Sequence, residues 1–203
     1  MDNEEFYSFS SRGYMTTFAA RPTLFAYAIQ HNLFEKPSGR YIHDDLKYGD
    51  DLTGGYPSYI QFPVVFRQID GKRMRDVLDM RYDGQCVLIS DRMCGILRAG
   101  GITGWQTYPI ILFDKKGIEI GGYNGFTVVG RGGTFEYLPG YDPIKVDEYY
   151  KYIQWRVEQW DGSDFFKISP NCVVCTKRVM QLLRIHKVEA IDYYPLSCSI
   201  IRP

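Results

Sequence analysis

The sequence predicts an α+β fold, mostly antiparallel sheet with a few short helices, that contains two copies of a strand-helix-strand unit. Residues 86–110 align without a gap with residues 172–196, and seven of the 25 aligned pairs are identical. A shared pattern of buried positions can produce part of this similarity, but the matched arginines and Tyr-Pro pairs favour an internal duplication. Residues 151–159 also alternate apolar and polar side chains, which is the period of a half-buried strand.

Each copy carries the signals of one short helix between two strands. In the first copy, Ser90 stands at the expected N-cap, and Gly100-Gly101 supplies the left-handed stop. In the second copy, Thr176 replaces the serine, and Lys187 lies near the helix end, where a cation is favoured. Apolar residues at i, i+3 and i+4 form the buried stripe of each helix: Met93, Ile96 and Leu97, then Val179, Leu182 and Leu183.

Apolar runs predict further strands outside the two copies. Residues 59–66 read as a strand in which Pro63 implies an edge or a bulge. Residues 110–113 and 123–129 are predicted to be strands joined across residues 114–117. Pro22 can occupy the first turn of a short helix that follows it.

The chain is predicted to form one compact domain overall, because 203 residues with 45% apolar content suffice for a sizeable core. Residues 1–85 form an N-terminal segment of unassigned type, and residues 86–203 form the duplicated region. Residues 34–59 read as a long polar loop, since they contain two Asp-Asp pairs and a Gly-Gly pair. A loop of this length inside a compact domain is uncommon and often functional.

Composition narrows the classes of function. The 24 basic and 24 acidic side chains balance, which argues against a large sequence-independent attraction to nucleic acid or to an anionic membrane. No stretch of 18 apolar residues exists, and the acidic N-terminus lacks a secretory signal, so a cytoplasmic protein is expected. Five cysteines without a scaffold spacing are typical of reduced thiols.

Two short motifs suggest chemistry only weakly. Cys172 and Cys175 have the spacing of a redox pair, but Ile89 aligns with Cys175, so we predict buried structural cysteines. The histidines show no ligand spacing with the cysteines, and we predict neither a metal nor a cofactor. Residues 130–133 (Gly-Arg-Gly-Gly) lack the spacing of a phosphate-binding loop and are predicted to form a turn.

One set of polar residues leaves an enzymatic alternative open. Asp161 and Asp164 flank a Gly-Ser pair and can bind a cation or act as an acid/base pair, although a tight turn is the favoured interpretation. Arg92 and Arg178 occupy the same place in the two copies and can bind a carboxylate or a phosphate, or tie down a neighbouring loop. Together these four residues are the candidate site of a hydrolase for a phosphorylated or nucleotide-like substrate.

Several motifs in residues 86–200 resemble a bacterial family of predicted immunity proteins from polymorphic toxin systems. They are ITGWQTYP at 102–109, GYNGFTVVGR at 122–131, WDGSDFF at 160–166, the helix with V-x-x-T-x-R-V after it, and the closing YYPL. The resemblance implies a protein without enzymatic activity that binds a cognate toxin and blocks it in the cytoplasm of the producing cell. The first 85 residues match nothing in this resemblance.

The expected partner is therefore a toxin protein, and the polar loop is the expected contact surface. Tyrosines offer rigid contact area, and aspartates can pair with basic residues of a partner. The candidate contact residues are Tyr41, His43, Asp44, Asp45, Tyr48, Asp50, Asp51 and Tyr56. The hydrolase and a structural or scaffolding protein that associates with itself stay as alternatives, and the sequence does not fix the oligomeric state.

Overall fold

Two helices pack among short strands in this computed structural model, which describes residues 6–12, 15–22, 62–78, 88–137, 140, 153–169, 172–196 and 198–200. Within these residues, fifteen strands form four sheets, and two α-helices and one 3-10 helix complete the secondary structure. The predicted class, α+β with mostly antiparallel sheet and short helices, is confirmed.

The elements follow one another along the chain in two runs, one before and one after residue 121. The first run is β1 (Phe6–Ser11), β2 (Ala19–Pro22), β3 (Val64–Asp70), β4 (Val77–Leu78), β5 (Leu88–Ser90), α1 (Asp91–Ala99), β6 (Trp105–Tyr108), β7 (Ile110–Phe113) and β8 (Glu119–Ile120). The second run is β9 (Tyr123–Val128), β10 (Phe135–Tyr137), β11 (Ile153–Trp155), a 3-10 helix (Val157–Gln159), β12 (Phe165–Ser169), β13 (Cys172–Thr176), α2 (Lys177–Ile185), β14 (Ile191–Pro195) and β15 (Cys198–Ile200).

Two of the sheets are built around the helices. Strands β5 and β6, which flank α1, both pair antiparallel with β9, which lies between them. Strands β13 and β14, which flank α2, both pair antiparallel with β1. Residues 88–108 and residues 172–195 thus each form a split strand-helix-strand unit. Its two strands are not adjacent in the sheet, and a strand from a distant part of the chain lies between them. Because β1 comes from the predicted N-terminal segment, the sheets cross the predicted boundary at residues 85/86.

The other two sheets cover the outer faces of the first two. Sheet β2-β3-β7-β8 contains the parallel pair β3 and β7, and sheet β10-β11-β15 contains the parallel pair β11 and β15. In each of these sheets an antiparallel strand, β2 or β10, borders the parallel pair.

Three hydrophobic cores hold these layers together. The central core contains the buried stripes of α1 and α2 and the rings of Phe9 and Phe126, whose centroids are 6.3 Å apart. Both rings pack edge-on against Phe165, at 5.0 and 5.4 Å. The two outer cores lie between the paired sheets; one is centred on Phe66, and the other on Trp155. The largest fully buried side chains are aromatic, which is consistent with the high aromatic content.

The helix signals of the first copy are confirmed in detail. The Ser90 hydroxyl accepts a hydrogen bond from the N–H of Met93 at 3.0 Å, and α1 begins at Asp91, directly after Ser90. The left-handed stop is Gly101, with φ of +60°, because Gly100 still has helical dihedrals. In the second copy Thr176 is the N-cap residue but makes no side-chain cap bond, and Lys187 takes the left-handed conformation at φ of 51°.

Some predicted strands differ from the observed ones. Residues 59–61 of the predicted 59–66 strand lie outside the described residues; the observed strand runs from Val64 to Asp70 and follows a cis Phe62–Pro63 bond. The turn at 114–117 leads into β8 rather than into β9, because the Asp114 carboxylate accepts the N–H groups of Lys116 and Ile118 and closes a tight hairpin. Residues 157–159 form a 3-10 turn instead of continuing β11. Pro22, predicted to lie in the first turn of a helix, is instead the last residue of β2, and the residues that follow it lie outside the described ones.

Candidate functional site

Asp164 is the centre of a buried carboxylate–arginine cluster at the start of β12. It is only 7% exposed. Its Oδ2 accepts hydrogen bonds from Arg178 Nη1 and from the N–H of Thr103, both at 3.0 Å. Its Oδ1 accepts a hydrogen bond from the hydroxyl of Thr176 at 3.1 Å. Charge-assisted bonds of this kind compensate the desolvation of a buried carboxylate. The pairing of Asp164 with Arg178 is the one contact that the predicted hydrolase site and the structure share.

Asp76 forms a second cluster of the same design, which the sequence did not indicate. Its Oδ2 accepts the Nη1 of Arg92 at 2.6 Å and the N–H of Glu189 at 3.1 Å. Its Oδ1 accepts the hydroxyl of Ser90 at 2.8 Å. Burial, and secondarily the charge of Asp76, raises the pKa of Tyr123 to about 12.

The two arginines also connect the two helices. Arg92 donates through Nη2 to the carbonyl of His186, which is the C-cap of α2. Arg178 donates through Nη2 to the carbonyl of Gly100, the C-cap of α1, at 2.5 Å. Each arginine therefore binds the carboxylate beside its own helix N-terminus and the carbonyl end of the other helix. A cation at a helix C-terminus complements the helix dipole.

Asp161 lies in a different network from Asp164. Its carboxylate accepts the N–H of Ser163 at 2.9 Å and the N–H of Arg131 at 2.8 Å, and Gly162 has φ of +83°. The tight-turn interpretation of these residues is confirmed. The four residues of the predicted hydrolase site are thus distributed over three places: the turn, the Asp164 cluster with Arg178, and the Asp76 cluster with Arg92.

The Gly-Arg-Gly-Gly segment does not form the predicted turn, because it runs beside β12. Gly132 donates its N–H to the carbonyl of Lys167 at 2.8 Å, and Lys167 donates its N–H to the carbonyl of Gly130 at 3.1 Å. A Cβ at Gly130 would lie 2.1 Å from the carbonyl oxygen of Phe165. These glycines therefore serve close backbone approach. The N–H groups of residues 130–132 all donate to acceptors within the protein, which leaves no cradle for a phosphate.

The predicted buried cysteines are confirmed for Cys172 and Cys175, which are 2% and 0% exposed free thiols. Burial, with a smaller contribution from Asp164, raises the pKa of the Cys175 thiol. The neutral thiol is therefore favoured, which is the opposite of what a reactive redox cysteine needs. Among the described residues no group of three or more His, Cys, Asp or Glu side chains could hold a metal ion.

One open depression lies apart from both clusters, and we call it the lysine groove. Its volume is about 750 Å³. It is bordered by the residues around Thr16, by the segment after β3 and by the β7–β8 turn. Its charged lining residues are Asp70, Lys72, Asp114, Lys115 and Lys116, and its apolar ones include Phe18, Met74 and Ile120. None of the four residues predicted for a hydrolase lines this groove.

The predicted contact loop cannot be compared with these sites, since its eight candidate residues between positions 41 and 56 lie outside the described residues. Large exposed apolar side chains, as a self-associating scaffold would need, occur at Met15, Phe62, Met74, Ile118, Ile185 and Tyr194. No described helix has the length and apolar character needed to cross a membrane. No protein-family model matches the sequence, and a search of curated proteins finds no significant relative.

Asp76 and the lysine groove are the sites that sequence reasoning missed. Asp76 stands outside the aligned segments, and its partners are distant in sequence. One signal could have found it: Asp76 precedes Val77-Leu78 as Asp164 precedes Phe165-Phe166, and both pairs come shortly before a split unit. The groove unites three chain segments, and no local motif marks such a place.

Proposed function

We propose that this chain is a non-enzymatic immunity protein, which neutralises a cognate bacterial toxin by direct binding in the cytoplasm of the producing cell. The observation that carries this proposal is that the candidate catalytic side chains are engaged in bonds within the protein. Asp164, Arg178 and Arg92 are engaged in bonds that connect the two helical units, and Asp161 closes a turn. A general acid or base must reach a proton of the substrate, and a carboxylate held by several internal donors is poorly placed to do so.

The motifs that resemble the immunity family lie in the framework of the fold. ITGWQTYP runs from the end of α1 through β6, where Trp105 Nε1 donates to the carbonyl of Ile102 at 2.8 Å. GYNGFTVVGR contains β9, and WDGSDFF contains the turn of Asp161 and the start of β12. A family that shares these motifs would share a scaffold, with recognition left to the surface and loops. This division is typical of binding proteins, in which loops on a rigid framework contact the partner.

Growth rescue tests the proposed function. The product of a toxin gene that flanks this gene is induced in a sensitive host, with and without this chain. We expect rescue by the wild-type chain, and equal rescue by Asp161→Asn, because the Asp161 side chain only accepts the backbone N–H groups of Ser163 and Arg131. Co-purification of the two proteins should accompany rescue. The proposal fails if the chain protects against no flanking gene product, or if protection is abolished in Asp161→Asn while the variant remains folded.

We further propose that the two split units are copies of one ancestral unit. Contacts recur at a spacing of 86 residues: Arg92 and Arg178 bind the carbonyls of His186 and Gly100, and those two residues have the same spacing. The backbone supports the same relation, since the left-handed residues Gly101 and Gly104 align with Lys187 and Ala190, the only described non-glycine residues with positive φ. Positive φ at a lysine and an alanine is costly, and a shared backbone path accounts for it.

The duplication extends beyond the aligned helices. Residues 6–22 align with residues 123–139 without a gap, with five identities: Phe9/Phe126, Gly13/Gly130, Thr17/Thr134, Phe18/Phe135 and Pro22/Pro139. These segments carry β1 and β9, each of which completes the sheet of the other half. We infer that two tandem copies, β1–β7 and β9–β15, have exchanged their first strands. Phe9 and Phe126, in contact at the central core, would then be equivalent residues on a pseudo-twofold axis.

A circular permutant tests this architecture. Opening the chain between the exposed Gly121 and Gly122 and joining residue 203 to residue 1 puts the second copy before the first. The new connection of eight residues from β15 to β1 matches the nine residues between β7 and β9, so the permutant should unfold cooperatively in urea. A permutant opened at Gly95, inside α1, is the control and should not fold. Absence of a cooperative transition in the first permutant would contradict the exchange.

A further inference from the structure

We propose that the lysine groove binds an acidic segment of a partner polypeptide that also carries apolar side chains. This inference deepens the proposed function, since the segment would belong to the toxin. It rests on three properties of the groove: a backbone that is fixed before binding, lysines that form no ion pair with a described residue, and an apolar floor.

The three segments that border the groove are tied to one another by backbone and side-chain hydrogen bonds. The carbonyl of Thr16 accepts the N–H groups of Lys72 and Arg73 at 3.1 and 2.9 Å. Gln68 connects the other two segments, because its Oε1 accepts the N–H of Lys115 at 3.0 Å and its Nε2 donates to the carbonyl of Gly71. A fixed backbone lowers the entropic cost of binding.

The exposed charged side chains in the groove are lysines. Lys72, Lys115 and Lys116 are exposed, and none forms an ion pair with a described residue. Two carboxylates also line the groove, and both are half-buried: Asp70 accepts the N–H of Gly71 at 2.8 Å, and Asp114 accepts two N–H groups of its own turn. The three ammonium groups exceed the two carboxylates by one charge and are the more exposed groups, so the groove favours an anionic ligand.

The floor of the groove selects a polypeptide over a simple anion. Phe18 is buried, Ile120 is half-buried, and Met74 is 36% exposed. Methionine at a binding surface adapts to different apolar side chains. A ligand with acidic side chains for the lysines and an apolar side chain for Met74 therefore fits best.

Fluorescence anisotropy with defined probes tests this inference on the full chain. The probes are a labelled 12-residue peptide of alternating Glu and Leu, the same peptide with Lys in place of Glu, and a 12-nucleotide single-stranded DNA. The test variant is Lys115→Gln/Lys116→Gln, and the matched control is Lys177→Gln/Lys187→Gln, which removes two described lysines outside the groove. Urea unfolding of each variant verifies that the fold is kept.

We expect the Glu-Leu peptide to bind, and the groove variant to weaken it about fivefold while the control variant leaves it unchanged, since each surface ion pair contributes up to about 1 kcal/mol. The inference is overturned if the Glu-Leu peptide does not bind, if both variants weaken it equally, or if the DNA binds at least as tightly. If the groove variant binds the Glu-Leu peptide weakly but still rescues growth fully, the groove is not the site that binds the toxin, and the proposed function stands. If the wild-type chain binds the peptide but rescues growth from no flanking gene product, the proposed function is rejected.

Discussion

Arg92 and Arg178 occupy equivalent places in the two helices, and each donates to the carbonyl that ends the helix of the other. Each also pairs with a carboxylate that precedes its own unit, Asp76 or Asp164. The helices are thus joined at both ends by the same pair of contacts. Residues that suggested a hydrolase in the sequence therefore have a sufficient structural reason to be present.

Substitution of Asp164 by Asn should destabilise the fold strongly. The variant leaves Arg178 without its anionic partner, and its amide N–H₂ group faces a donor in either orientation: the N–H of Thr103 at the Oδ2 position or the hydroxyl of Thr176 at the Oδ1 position. We expect a loss of about 2–4 kcal/mol in the free energy of unfolding, measured in urea. Glu136→Gln is the control, because its ion pair with Arg156 is exposed, and it should cost less than about 0.5 kcal/mol. Equal effects of the two substitutions would show that the Asp164 cluster is not structural.

Gly130→Ala should be among the most damaging single-methyl substitutions. Its Cβ would lie 2.1 Å from the carbonyl oxygen of Phe165, so β12 would have to move. We expect a cost of about 1–3 kcal/mol, as for other overpacked sites. Gly95→Ala is the matched control, since its Cβ meets nothing within 4 Å and lies in α1. That change should raise the melting temperature, because alanine is favoured over glycine by about 1 kcal/mol within a helix. Tolerance of Ala at both positions would argue against the close approach.

Stability should fall in alkali in a way that depends on Tyr123. Its hydroxyl donates to the carbonyl of Arg75 at 2.9 Å, and burial raises its pKa from the ordinary 10 to about 12. The folded state therefore favours the protonated phenol. This contribution is complete below about pH 10, the pKa of the unfolded chain, and it is lost as the pH rises to about 12.

Urea unfolding of the wild-type chain and Tyr123→Phe at several pH values isolates this contribution. The difference in free energy of unfolding between the two should be constant up to about pH 10 and then shrink. Other tyrosines and lysines titrate in both chains and cancel. A difference that stays constant to pH 12 would contradict the raised pKa.

The buried thiols should resist labelling in the native state. In a Cys86→Ser/Cys198→Ser background, the remaining cysteines are Cys94, Cys172 and Cys175, all at most 2% exposed. Burial raises the pKa of Cys94 and Cys175, which lowers the thiolate fraction. We expect no rapid reaction with a thiol reagent at pH 8 and complete reaction in urea. Rapid native labelling, or a disulfide between Cys172 and Cys175, would revive the redox interpretation.

Local features were predictable from the sequence. The N-cap Ser90, the stripe of α1 and the turn at Asp161 all depend on residues a few positions apart, and the structure contains them. The aligned second segment likewise contains one helix between two strands, although Thr176 uses its hydroxyl to bind Asp164 instead of capping α2.

Non-local features were not predictable in the same way. The pairing of Phe6 with Thr176 places β1 inside a sheet whose other strands are far along the chain. Period-2 patterns identify strands but contain no information on which strand fills the gap of a split unit. The lysine groove and the Asp76 cluster depend on that same long-range assembly, so neither had a signature in one stretch of sequence.

Stoichiometry of inhibition tests the central claim, that the chain acts by binding rather than by catalysis. The purified product of a flanking gene that proves toxic is assayed for its own activity while this chain is titrated in. We predict a linear loss of activity that ends at a fixed molar ratio and does not deepen with longer incubation. Complete inactivation by substoichiometric amounts, progressing with time, would show turnover and contradict the claim.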